Sequence, residues 1–339
     1  MATLRAGLVG LGMMGRNHAR VLATLDGVDL VGVADPGGDA HGASGGLPVY
    51  STVEQLIAER LDYCMVATPT AFHEEVGLAL AEAGVHAMIE KPLASTVAGA
   101  ERLVDAFEKA GLVGAVGHIE RYNPALQSLR ARLGSGDLGT VYQVVTRRQG
   151  PFPARIADVG VVKDLATHDI DLTAWVTQAP YTSVAARTAY RSGREHEDLV
   201  AVTGTLSDST VTSHLVNWLS PMKERVTVVT GEKGAFVADT LTADLTFFAN
   251  GTAPMPWGQI AGFRGVSEGD VVRYAMAKPE PLRTEHEAFR DALLGKDADT
   301  VTLRQGLRTV VVAEAVLRSA AEGITVEIDS PTADSVTNR

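Results

Sequence analysis

The sequence predicts a two-domain α/β protein: an N-terminal doubly wound parallel sheet with helices on both faces, then a C-terminal α+β domain around a large, open-faced, mainly antiparallel sheet. Three observations predict it. Strand and helix patterns alternate up to about residue 120, strand character dominates after Asn123-Pro124, and the 339 residues exceed what one core usually organises.

The first apolar strand, around Leu8 and Val9, runs into Gly10-x-Gly12-x-x-Gly15, and a helical pattern follows. A second strand, Leu30 to Val33, ends on Asp35. Each glycine has a mechanical reason: the first makes a tight turn, the second lets main chain approach a pyrophosphate, and the third packs helix on strand. The phosphates then face the positive end of the helix dipole, which makes Gly10, Gly12, Met13, Met14 and Gly15 candidate contacts. Asp35 follows Gly15 by 20 residues. A carboxylate there can bond both hydroxyls of an adenosine ribose, so NAD is the expected cofactor.

Further along, Thr52 to Glu59 read as helix, Tyr63 to Ala67 as a strand ending in Thr68-Pro69-Thr70, and Glu74 to Ala83 as helix. His86 to Ile89 read as a strand running into Glu90-Lys91-Pro92, Thr96 to Ala110 as a long helix, and Val113 to Val116 as a short strand. Ligands of open parallel sheets bind beyond the carboxyl ends of the strands, where the loops 10–15, 68–73 and 90–92 arrive. Thr68, Pro69, His73, Glu90 and Lys91 are therefore cofactor candidates too. Lys91, with an acid before it and a proline behind, can also present its ammonium to a substrate.

Beyond Asn123 the segments VYQVVTRR, TSVAARTAY, DLVAVTGTL, TVTSHLVNWL, RVTVVTGEKGAFVAD and LTFFAN have strand character, interrupted by a helix from Lys163 to Val176. Two helices, Thr284 to Leu294 and Leu303 to Ala321, precede a polar tail expected to be frayed. The expected division is 1–122, 123–328 and a tail 329–339. In the interrupting helix Asp164 and His168 are four apart, hence on one face. A carboxylate there can orient an imidazole and stabilise its charged form, as a proton acceptor for an alcohol requires; an acidic helix start with a capping histidine is the plain alternative.

Composition narrows the partners. The net charge of -11, with no basic stripe, excludes nucleic acid, while 21% charged and 45% hydrophobic residues describe a soluble globule. The single cysteine, Cys64, lies in an apolar run and cannot form an intramolecular disulfide, which fits a reducing cytoplasm. No signal peptide fits before the first strand and no apolar run reaches membrane-spanning length, so a cytoplasmic location is expected. No metal is expected, because neither an HExxH nor a cysteine cluster exists.

The motifs GLVGLGMMGRNHARVL, VADP, ATPTAFH, EKPLA, GHIERYNP and DLATHDIDL, in this order, resemble the glucose-fructose oxidoreductase, inositol dehydrogenase and MocA family, and the likeness runs to about Ile328. The resemblance implies a Rossmann domain plus an open sheet that buries itself in homodimers or homotetramers. It also implies active-site roles for Lys91, Asp164 and His168, and substrate contacts from Glu120, Arg121 and Tyr122. The stretch RRQGPFPARIADVGVVKDLATHDID is most similar to sugar 3-dehydrogenases, including those acting on UDP-N-acetylglucosamine. On that likeness Arg147, Arg148, Arg155 and Lys163 could meet a pyrophosphate, although an arginine-rich strand face is equally often solvated or a subunit contact. An aminoglycoside substrate would instead draw on acids such as Glu120 and Asp171.

The implied activity is NAD-dependent oxidation of a secondary alcohol on a sugar, at the 3-hydroxyl of an aminosugar unit, giving a 3-keto sugar for transamination. His168 accepts the hydroxyl proton, Lys91 hydrogen-bonds the same oxygen, with these two roles exchangeable, and Asp164 orients substrate or imidazole. Alternatives are an inositol dehydrogenase, a glycosidase working through a transient 3-keto sugar, and a non-catalytic sugar or NAD sensor. The intact Lys91, Asp164 and His168 speak against the sensor.

Overall fold

A computed structural model describes residues 3–152, 159–251 and 268–329. The chain forms two compact units, Met1–Tyr122 with Pro279–Glu314, and Asn123–Lys278 with Ala315–Arg339. The first holds strands β1 (Leu4–Val9), β2 (Val28–Ala34), β3 (Val49–Tyr50), β4 (Tyr63–Val66), β5 (His86–Glu90) and β6 (Gly114–Gly117). They stand in the order β3-β2-β1-β4-β5-β6 with every pair parallel. The order reverses between β1 and β4, and a crevice opens beyond the strand ends at such a switch point. All four residues of β4 are buried, as a strand covered on both faces requires.

Local chemistry sets the helix boundaries. Thr52 and Thr96 cap the helices Val53–Ile57 and Val97–Ala110 by accepting from Gln55 and Gly99 main-chain N–H groups. Gly111, at φ 65°, ends the second of these in the left-handed conformation.

Residues 279–314, placed by sequence with the second domain, belong to the first unit. The helix Pro281–Leu293 buries Leu282, Glu285, His286 and Phe289, and Phe289 packs edge-on against Tyr63 of β4, 5.5 Å between centroids. Val301, Leu303 and Val310 join the core of Ile89, Leu103 and Phe107. Periodicity announces such a helix without saying which sheet receives its apolar face.

The second unit holds β7 (Val141–Pro151), β8 (Tyr181–Ala189), β9 (Leu199–Leu206), β10 (Val211–Asn217), β11 (Leu219–Gly231), β12 (Gly234–Asp239), β13 (Asp244–Asn250), β14 (Glu268–Arg273) and β15 (Val326–Glu327). Their order is β14-β13-β12-β11-β7-β10-β9-β8-β15, antiparallel throughout except for the parallel pair β7–β10. One face packs on the helices Pro124–Gly134 and Thr167–Thr177, with Leu126, Leu129, Leu172 and Val176 against Val144, Val229 and Phe236. The helix Pro124–Gly134 is not foreseen from the sequence, although its start carries two ordinary signals. Asn123 accepts from the Ala125 N–H, and proline occupies the first turn. Along the strands the alternate positions face away from these helices, and Val211, Leu215, Phe248 and Val271 are exposed.

Among the described residues no helix is long and apolar enough to cross a membrane, and no three His, Cys, Asp or Glu could share a metal ion. Residues 330–339 of the expected tail, and Arg155, lie outside the described residues.

Candidate active site

At the end of β1, Gly10 turns with φ 95°, and an added Cβ there would meet the Ala67 carbonyl oxygen at 2.6 Å. A Cβ on Gly15 would meet the Gly10 oxygen at 1.9 Å, so the helix Met13–Leu22 can close on the loop only with glycine. Gly12 differs, because a Cβ would meet nothing within 4 Å. Its lack of a side chain serves no contact within the chain and instead leaves room at the start of that helix. No side chain caps this N-terminus and no acid sits in its first turn, so its N–H groups remain suited to phosphate. Met13 is exposed and Met14 half-buried beside them.

Asp35 closes the same edge. Its two carboxylate oxygens accept from the Leu11 and Gly37 N–H groups, each at 2.7 Å. A carboxylate offers about four acceptor positions, so two remain for vicinal ribose hydroxyls. At the end of β4 the Thr68 hydroxyl is buried without a hydrogen-bond partner among the described residues, while Pro69 is exposed. These features fit a dinucleotide.

Two other expected cofactor contacts have partners within the chain. His73 is buried between two loops, with Nδ1 2.9 Å from the Pro92 oxygen and Nε2 3.0 Å from the Thr68 oxygen. Burial lowers its pKa, against the pull of both carbonyls toward the charged ring. Glu90 is also buried, and its oxygens serve His18 Nε2 at 2.9 Å and the Lys91 N–H at 3.0 Å. Lys91 itself is half-buried at the end of β5. Arg121 and Tyr122, expected at the substrate, are buried in the first unit. The Arg121 guanidinium donates to Gln305 at 3.0 Å and the Tyr122 hydroxyl to the Asp299 oxygen at 3.1 Å. Glu120, in the same 3-10 turn, is half-buried.

In the second unit the expected helix begins with a π-turn, Val162–Ala166, before Thr167–Thr177 continues as α-helix. Such wide turns recur at functional sites. The turn is held by Glu197, whose Oε1 accepts from the Val162 N–H at 2.9 Å. Lys163, Asp164 and His168 are half-buried, with Asp164 in the π-turn and His168 about one turn on. The two arginines proposed for a pyrophosphate separate, because neighbours on a strand face opposite ways. Arg148 points inward, buried against Asp169 with Nε 2.7 Å from Oδ2, and Arg147 lies on the other face, 2.8 Å from Glu224. Asp171 is buried as well. Sequence reasoning also passed over His18 and His286, which pair across 268 residues. No local signal marks such a pair.

A glycine turn at a switch point, an acid at the end of the second strand and a lysine at the end of the fifth define an NAD-binding oxidoreductase. Residues 4–118 match an oxidoreductase family with an NAD-binding Rossmann fold, and residues 126–237 match the Gfo/Idh/MocA C-terminal domain. The chain belongs to the Gfo/Idh/MocA family, and its cofactor is NAD. It is 29% identical over 296 residues to UDP-N-acetylglucosamine 3-dehydrogenase of Acidithiobacillus ferrooxidans, covering 86% of this chain and 90% of that one. A solved structure of that enzyme matches with a TM-score of 0.82 at 27% identity, over 95% and 99% of the two chains. Inositol 2-dehydrogenase 2 of Saccharopolyspora erythraea is 26% identical over 96% of each chain. The structure of GenD2 from gentamicin A biosynthesis in complex with NAD matches with a TM-score of 0.79 at 25% identity, over 97% of each chain.

Proposed function

We propose that this protein oxidises the 3-hydroxyl of an amino- or N-acetylamino-hexose carried on a nucleotide, producing a 3-keto sugar. NAD, when bound, supplies the hydride acceptor. His168 takes the hydroxyl proton, Lys91 hydrogen-bonds the same oxygen and stabilises its developing charge, and Asp164 orients the imidazole or the sugar. The observation that carries the reading is the similarity of this chain, over most of its length, to a UDP-N-acetylglucosamine 3-dehydrogenase, together with Lys91 at the end of β5 and Asp164 and His168 about one turn apart. Lys163 and Arg155 are the cations left for a pyrophosphate, since Arg148 is held by Asp169.

An aminoglycoside substrate is the second reading, favoured by the likeness to GenD2. Of the two acids first considered for it, Asp171 is buried, which leaves Glu120. The test is NADH absorbance with UDP-N-acetylglucosamine, a set of aminoglycosides, and inositols, repeated with the active sugar deuterated at carbon 3. Label reaching the nicotinamide supports the reading; label kept in the sugar, or activity confined to free inositol, refutes it.

We also assign the exposed apolar face of the second sheet, with Val211, Leu215, Phe248 and Val271, to a homodimer or homotetramer interface. Light scattering that returns a monomer mass refutes this. The location we propose is cytoplasmic, in keeping with a single buried cysteine.

A further inference from the structure

Three buried side chains form a hydrogen-bonded line inside the first unit. Glu90 Oε2 accepts from the Lys91 main-chain N–H at 3.0 Å, Glu90 Oε1 lies 2.9 Å from His18 Nε2, and His18 Nδ1 lies 2.8 Å from His286 Nε2. The line joins the end of β5 to the helix Met13–Leu22 and then to the helix Pro281–Leu293. The two rings meet edge to face, 5.1 Å between centroids.

The protons on this line follow from its contacts. Burial opposes ionisation of Glu90, but the His18 bond and the positive charge of its neighbours outweigh burial and lower its pKa. Glu90 is thus a carboxylate, and His18 Nε2 must carry the proton that it accepts. His286 is pushed well below the ordinary histidine range by burial and then by His18, so its ring is neutral. Glu285 is buried with both oxygens unpartnered among the described residues, and burial followed by the Glu90 charge raises its pKa well above the carboxylate range. Of these two acids it is Glu285 that keeps its proton and Glu90 that carries the charge.

A buried anion is costly, and neither the packing of β5 nor its ladder calls for one. Its consequence lies next door, where it grips the main chain of Lys91. On the other side the Pro92 oxygen lies against the buried His73 ring, 2.9 Å from Nδ1. A lysine stem is long and flexible, so a fixed main chain limits where its ammonium can reach.

We propose that His286, His18 and Glu90 are positioning residues that together fix the direction in which Lys91 presents its ammonium to the substrate. This rests on the role given to Lys91 above. Glu90→Gln is the closest probe in shape. A glutamine accepts at one end and donates at the other, so it keeps the Lys91 contact only if His18 gives up its Nε2 proton. The expected result is a kcat lowered about tenfold or more, with the KM for NAD within about threefold of the parent, measured with the sugar that the panel above identifies. In a Lys91→Ala background the same change should alter turnover by less than about threefold, because its effect passes through that side chain. His286→Leu, which leaves Glu90 and Lys91 in place, should lower kcat by about threefold or more.

Equal losses from Glu90→Gln in both backgrounds overturn the positioning role alone. Near-normal turnover of Lys91→Ala by itself overturns the reading of Lys91, and this proposal falls with it. A readout independent of turnover is the nitrogen-15 spectrum of the histidine rings at neutral pH. His18 Nε2 should be protonated in the parent, and a bare Nε2 there overturns the line.

Discussion

Replacing Asp35 with serine should narrow the preference for NAD over NADP and weaken the loop even without cofactor. Both effects come from the same two oxygens. Facing the chain, they accept the Leu11 and Gly37 N–H groups at 2.7 Å each. Serine has one oxygen on a shorter arm and can keep at most one of these contacts. A hydrogen bond to a charged group contributes about 1.5–3 kcal/mol, and Asp35 is half-exposed, so a loss near the lower end is expected. That should appear as a melting point a few degrees lower. Facing outward, the carboxylate would lose two ribose bonds, and replacing them with one neutral bond costs about 2 kcal/mol, or roughly thirtyfold in NAD affinity. The penalty on NADP would lift at the same time, since unit charges about 4 Å apart near a protein surface repel by about 4 kcal/mol. The NAD:NADP ratio of kcat/KM and calorimetric Kd values measure the outward effect, and a melting curve of the cofactor-free protein measures the inward one. Asp35→Asn is the control, because its amide nitrogen must face either the cofactor or one of the two main-chain N–H groups. A parent enzyme that uses NADP better, or an Asp35→Ser variant with unchanged preference, would refute the reasoning.

Lys91→Ala and His168→Ala should each cut turnover by about a hundredfold or more while NAD affinity, read by fluorescence, stays nearly constant; a variant with near-normal turnover shows its residue to be structural. Gly15→Ala would drive a methyl carbon to 1.9 Å from the Gly10 oxygen, so NAD affinity should fall along with stability. Normal NAD binding by that variant would remove the close helix-to-loop packing from the account. Burial pulls the His214 pKa down to about 4, and the ring is held by the Thr146 and Tyr181 hydroxyls at 2.8 and 2.7 Å. Its unfolded value is about 6.5, so this stabilisation is complete above that pH, falls as the unfolded chain takes up a proton, and is lost below about pH 4, roughly 3 kcal/mol in all. Urea midpoints of His214→Gln should therefore fall less steeply than the parent's between those limits, and parallel curves would contradict the burial argument.

The parts of this molecule legible in the sequence are those whose cause is local. The turn at Gly10, the stop at Asp35 and the caps at Thr52 and Thr96 each follow from a few neighbouring residues. Strands β7 to β13 of the second sheet were legible for a similar reason, since alternation and short turns mark strands one at a time, whereas the edge strands β14 and β15 lie outside the segments read as strands. Its helix Pro124–Gly134 was missed despite Asn123 and Pro124 at its start, because its apolar residues give a weak stripe.

Partnership across the chain is a different matter, and it decides what a polar residue does. Arg147 and Arg148 look equivalent in the string RRQG, yet the strand pleat sends one to Glu224 and the other into a buried pair with Asp169. A motif cannot report that division, because the carboxylate that claims Arg148 lies 21 residues away on a helix. The same holds more strongly at Glu90, whose motif with Lys91 and Pro92 invites a role in ligand binding. Its oxygens are spoken for by His18, 72 residues earlier, and by its own neighbour's N–H. What sets Glu90 apart from Asp35, which also has one bond on each oxygen, is burial, and on the proposal above its influence passes through the lysine that it holds. His73, Glu90, Arg121 and Tyr122 all lie in motifs that invite a role in ligand binding, and each is buried with a partner inside the first unit that no local spacing announces.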